Sequence, residues 1–153
     1  FENIGFILKS FPEAKIIHLK RDAMAVCWSI YQRHFPNVSL GFPYNMKDLA
    51  QFYNSYSELM NFWHELFPNQ IYDLSYENLT TNQENETRKL LEYCELDWDE
   101  NCLNFYTNKR AAKTASSLQV KEKMYQGSSE IWKKYEPYLK PLINELGYYQ
   151  EKL

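Results

Sequence analysis

Three polar residues on one short stretch carry the first chemical signal: Arg21, Ser29 and Arg33 in KRDAMAVCWSIYQRHF, residues 20–35. An arginine presents a planar fork of donors that grips a phosphate or carboxylate with two parallel hydrogen bonds. Ser29 and Arg33 are four residues apart and would share a helix face, where both could meet the ligand held by Arg21. The chemistry would be anion binding. The competing account is plain: two surface cations and a tolerated small side chain.

The position of Arg21 depends on the elements around it. Residues 15–19 are a short apolar run bounded by turn signals, which predicts a strand buried on both faces, as in a parallel sheet. Asp22 is placed to cap a helix over 23–35 that stops at Pro36. A strand feeding a helix sets the free amides and positive dipole end of that helix at the carboxyl edge of the sheet, where open α/β sheets bind their ligands. A short helix is predicted at 3–10, a Pro- and Asn-containing loop at 36–45, and a long amphipathic helix at 46–66. Leu49, Phe52, Tyr53, Tyr56, Leu59, Met60 and Trp63 mark one face of that long helix, and such an aromatic stripe reads as core rather than as a cofactor site. A second strand follows at 70–76. After it come a helix over 82–94 opened by Asn78 or Thr81, with Leu90, Leu91 and Cys94 inward, and a short helix near 99–106. Residues 107–127 read as a long loop and 129–146 as a final helix bearing Ile131, Trp132, Tyr135, Leu139 and Leu142. The order predicts an α/β fold with a parallel sheet in a single domain.

Composition narrows the classes. The 153 residues suffice for one domain with a real core, and a charged fraction of 24% against 44% hydrophobic is globular. A formal net charge of −3 argues against nucleic-acid binding by bulk electrostatics, so any anion site is local. No apolar run reaches the roughly 18 residues of a membrane span. Three irregularly spaced cysteines, Cys27, Cys94 and Cys102, form no zinc pattern or disulfide framework and favour a reducing, cytoplasmic setting. Three glycosylation-type triplets beginning at Asn37, Asn78 and Asn85 point the other way, towards secretion. The four glycines never cluster, so no glycine-rich phosphate loop is present, and the opening on Phe1 reads as the middle of a domain.

The stretch resembles the 3′-phosphate-binding strand and helix of the sulfotransferases that use 3′-phosphoadenosine 5′-phosphosulfate. In that family an arginine ends the strand and a serine follows eight residues later, the spacing of Arg21 and Ser29. A second arginine four residues on, as Arg33 is, resembles the tyrosylprotein sulfotransferases and related bacterial enzymes. The segment IYDLSYENL is similar to the family's second strand-to-helix segment, which assigns Tyr76 to the adenine or ribose side. TASSLQVKEKMYQGSSEIWKKY is similar to the C-terminal loop and helix that close over the nucleotide, matching Thr114, Ser116, Ser117, Gln119, Val120, Ser129, Trp132 and Tyr135. Lys121 stands where the family usually has arginine, a point charge without the bidentate grip.

The resemblance implies a P-loop nucleotide-kinase-like three-layer fold, of which this chain is an incomplete, helix-rich C-terminal portion. It implies a sulfuryl transfer from 3′-phosphoadenosine 5′-phosphosulfate to a hydroxyl or amine of unknown identity (protein, glycan or small molecule), leaving adenosine 3′,5′-bisphosphate and needing no metal. Arg21, Ser29, Arg33, Tyr76, Ser117, Gln119 and Lys121 would form the nucleotide half-site; the 5′-phosphosulfate loop and the usual base lie upstream of this chain, and the fragment alone is expected to be inactive. His34 could serve as a base or simply end its helix, and His18 and His64 read as structural and exposed, so no catalytic residue is assigned. Two other classes remain: a non-catalytic protein-interaction domain on the same fold, and a nucleoside-phosphate kinase, which the Ser-, Gln- and Val-bearing loop at 114–121 disfavours.

Overall fold

The computed structural model describes residues 1–35, 41–107 and 122–148. The chain divides into two compact units, the first made of residues 1–16, 21–71 and 127 onward, the second of 17–20 and 72–126.

In the first unit, helix α1 (Ile4–Ser10) buries Ile4 and Leu8, four residues apart on one face. Its Gly5 lies under the Trp63 indole, and a Cβ there would stand 2.7 Å from the ring, so only glycine allows this approach. Helix α2 (Ala23–Tyr31) begins behind Asp22, and α3 (Met46–Leu66) behind Asn45, whose side chain accepts from the amides of Lys47 and Asp48. The long helix serves two cores. Towards its start Leu49 and Ala50 pack with Met24, Cys27, Trp132, Leu139 and Leu142; towards its end Met60 packs with Ile4, Leu8 and Ile71, flanked by Tyr56 and Trp63. Of the predicted stripe, Leu49 and Met60 are buried and Tyr53, Tyr56 and Trp63 are half-buried against these cores, whereas Phe52 is exposed.

Two expectations in this unit are corrected. Helix α2 ends at Tyr31 rather than at residue 35. The Arg33 amide bonds back to Ile30 in a tighter turn, and both backbone groups of Phe35 are satisfied by the Tyr44 hydroxyl, at 2.9 and 2.8 Å, instead of by a helical ladder. The C-terminal segment is not one helix. A 3₁₀ stretch (Ser128–Tyr138) opens behind Gly127 at φ 86°, breaks at Leu139, and gives way to α6 (Lys140–Leu146), which closes on Gly147 at φ 63°. Pro137 has no amide to donate and its ring would collide with the carbonyl four residues back, which disfavours an α-helix here. Trp132, Leu139 and Leu142 are buried as predicted, whereas Ile131 and Tyr135 are exposed.

Strands β1 (Ile16–Lys20) and β2 (Ile71–Ser75) form the two-stranded sheet, and residues 17–20 and 72–75 of these strands belong to the second unit. The amide of Ile16 bonds to Gln70 at 3.1 Å and His18 meets Asp73 at 2.7 Å, so the partners advance in the same direction along both strands, as in a parallel pair. The strand expected to be covered on both faces is not: Ile17 and Leu19 are 46% and 54% exposed. Ser75 caps α4 (Tyr76–Thr81), an extra helix ahead of α5 (Gln83–Tyr93). The predicted inward residues Leu90, Leu91 and Cys94 are only half-buried; the buried side chain of α5 is Glu86, paired with Lys89 at 2.7 Å. Instead of a helix over 99–106 there are two single 3₁₀ turns, Glu100–Cys102 and Phe105–Thr107. Architecture among the described residues is mixed α/β, helix-rich, with a small parallel sheet, and no described helix is long and apolar enough to cross a membrane.

Candidate anion-binding site

Arg21 and Asp22 link the last residue of β1 to the first of α2. The extended backbone of Asp22 turns its carboxylate onto the helix start, where Oδ1 accepts from the Ala25 amide at 2.9 Å. Its Oδ2 accepts from the Tyr148 hydroxyl at 2.5 Å. Arg21, half-buried, donates from Nε to Ser129 Oγ at 3.1 Å. Both linker residues are thus held by a segment more than a hundred positions away in sequence.

This arrangement alters the chemistry expected of the junction. A carboxylate already fills one of the orphan amides at the start of α2, and its charge offsets the positive dipole end of the helix. The charge available to an anion at this junction is therefore the guanidinium of Arg21, not a bare helix terminus. Beneath the junction, burial pushes the Cys27 thiol up to about 12, with the Asp22 charge adding to the effect, so this cysteine is an inert core residue.

The other residues singled out from sequence fall in different places. Ser29 is half-buried in the last turn of α2. Arg33 lies two residues past the end of that helix, so the common helix face argued for the pair does not exist in that form. Trp28, next to Ser29, stacks on Tyr31 at a ring-centroid distance of 6.4 Å and meets the tilted ring of Tyr135 at 4.7 Å. Tyr76 belongs to the second unit, half-buried as the first residue of α4, one step after the capping Ser75. Ser117, Gln119 and Lys121, with Thr114, Ser116 and Val120, lie outside the described residues. His34 is exposed, His64 is half-buried rather than exposed, and His18 is engaged with Asp73.

Sequence reasoning singled out both Arg21 and Ser129 but not the hydrogen bond between them, and it passed over Tyr148. Neither contact has a local signature, because separations of 108 and 126 residues leave no periodicity to read.

Comparison with known proteins adds an independent line. A family model described as the sulfotransferase family matches residues 1–100, a span that includes Arg21, Ser29, Arg33 and Tyr76 and ends before the segment carrying Ser129. An uncharacterized protein of Aquifex aeolicus (strain VF5) is 43% identical over 148 residues, covering 95% of this chain and 19% of its own length. The chain therefore spans about a fifth of that relative. On the matched span, two thirds of its length, this chain belongs to the sulfotransferase family.

Proposed function

We propose that this chain carries the 3′-phosphate half of a nucleotide-donor site in a sulfotransferase domain of P-loop nucleotide-kinase-like, three-layer architecture. The observation that supports this best is Arg21, set at the strand-to-helix junction with its Nε donating to Ser129 and with Ser29 eight residues on. The residues suit the donor 3′-phosphoadenosine 5′-phosphosulfate: the neighbouring carboxylate is committed to a helix amide and a tyrosine, while the cation at the strand end is held by a neutral hydroxyl. The donor supplies an activated sulfonate that passes in line to an acceptor oxygen or nitrogen. Catalysis of such transfers is mostly positioning and neutralisation of charge.

Within that scheme Arg21 binds the 3′-phosphate as a charged fork, Ser29 donates a hydroxyl to it, and Arg33 adds a second cation from beyond the helix end. Tyr76 is proposed for the adenine or ribose side, since it combines a flat apolar face with a hydroxyl. Ser117, Gln119 and Lys121 are proposed for the closing loop. The Arg33 spacing favours a relation to tyrosylprotein sulfotransferases and similar bacterial enzymes, and three free thiols favour a reducing compartment.

Calorimetric titration of adenosine 3′,5′-bisphosphate into this chain tests the reading. Saturable binding in the micromolar to millimolar range is expected, weakened by about 10-fold or more in Arg21→Ala, the scale of a charged hydrogen bond worth ~1.5–3 kcal/mol. Binding that ignores the substitution would remove Arg21 from the site. No binding by either chain would favour the interaction-domain class, for which the exposed Phe6 and Phe11 offer apolar surface.

A further inference from the structure

We propose that Ser129 is a positioning residue for Arg21, fixing the plane of its guanidinium for the phosphate; this rests on the nucleotide reading above. An arginine on its flexible stem samples many orientations, and a two-point grip on phosphate needs only one of them. The donation from Nε to Ser129 Oγ at 3.1 Å adds a fixed point beyond the stem. Nε carries a single hydrogen, so a side-on grip through Nε is excluded while that bond stands.

The acceptor is itself firmly held. Ser129 is 7% exposed, and it sits on the 3₁₀ stretch whose Trp132 is 1% exposed in the core. Tyr135 of the same stretch packs at a tilt against Trp28 of α2, and Trp132 meets Tyr148 edge to face at 5.4 Å. Tyr148 in turn holds Asp22. The C-terminal segment thus grips both junction residues while its own aromatics are anchored in the first unit.

The chemical type of the partner matters as much as its place. A carboxylate at position 129 would orient Arg21 equally well but would cancel the charge that an anion needs. A hydroxyl accepts the hydrogen bond without itself adding a negative charge.

Two measurements on the same set of chains test this: wild type, Ser129→Ala, Ser129→Thr, Arg21→Ala and the Arg21→Ala/Ser129→Ala double variant. In titrations with adenosine 3′,5′-bisphosphate, Ser129→Ala should weaken binding by about 5- to 10-fold, the size of one hydrogen bond. Ser129→Thr should restore binding to within about 2-fold, and the double variant should bind no worse than Arg21→Ala alone. Wild-type affinity in Ser129→Ala, or a full further loss on the Arg21→Ala background, overturns the positioning role and leaves the nucleotide reading standing. The second measurement is the nitrogen-edited NMR signal of the Arg21 Nε–H without nucleotide, assigned by its loss in Arg21→Ala. Slow solvent exchange in wild type and Ser129→Thr, turning fast in Ser129→Ala, is expected; equal exchange in all three overturns the proposal. If the wild type binds no nucleotide, the nucleotide reading fails by itself and the exchange comparison alone decides whether Ser129 positions Arg21.

Discussion

The two units of this chain are built on different physics. The first has two packed apolar cores joined along α3, with Met24, Cys27, Ala50 and Leu142 fully out of solvent. The second buries, among its described residues, only Leu74 and Glu86 below 10% exposure. Its described contacts are rich in charge and aromatic stacking. Arg88 lies over the Trp98 ring at 3.7 Å and forks onto Glu84 at 2.9 and 2.7 Å; Tyr72 stacks on Tyr93 at 5.0 Å; Lys89 reaches Glu86. Apolar burial is insensitive to salt and scales with area, whereas exposed ion pairs are each worth ~0–1 kcal/mol and are screened. Arg21 belongs to the first kind of surroundings, and a cation fixed over a close-packed core is better suited to hold a ligand in one place.

The largest effect expected is from Leu142→Ala. It deletes a fully buried side chain shared by α2, α3 and the C-terminal segment, at a cost of ~2–5 kcal/mol. Amide hydrogen exchange should show the lost protection in α2, α3 and α6. An equal loss in α5 would erase the energetic distinction between the units.

The pH response sharpens the same contrast. Burial raises the Cys27 thiol to about 12 from an ordinary 9.0, so the folded state favours the neutral thiol. Its contribution to stability is full below the unfolded value and is lost as pH rises from about 9 towards 12. Thiol titration at pH 8 should label the half-buried Cys94 and Cys102 of the second unit while sparing Cys27, which should become reactive only on unfolding. Labelling of Cys27 at the same rate would mean that the first core opens readily.

The smallest effect expected is from Arg88→Ala, ~0.5–1 kcal/mol from the lost cation–π contact and an exposed ion pair. Thermal melts of wild type and variant should converge in part at 1 M salt, as they would not for a core truncation. A salt-independent loss above about 2 kcal/mol would show that apolar packing, not charge, holds this region.

Much of the local structure was legible. The span of α3, the Asp22 cap, both strands and the burial of Leu49 and Met60 on the long helix follow from periodicity and from capping chemistry, which act within a few residues. The misses share a cause. Helix α2 was read too long because its terminus is decided by Tyr44, nine residues on, taking both backbone groups of Phe35. The exposure of Ile17 and Leu19 and the half-burial of Leu90 and Leu91 could not be read from apolar character, since burial depends on what the rest of the fold brings over them. The last helix was misread for a local reason, because Pro137 within the run was given too little weight.

The sequence by itself determined which residues could hold an anion, where strand gives way to helix, and the family to which residues 1–100 belong, because these are matters of residue type, order and spacing. Tertiary structure alone decided how Arg21 is held. The Ser129 and Tyr148 contacts bridge separations of 108 and 126 residues, and only the packing of Trp132, Leu139 and Leu142 beneath them brings those side chains to the junction.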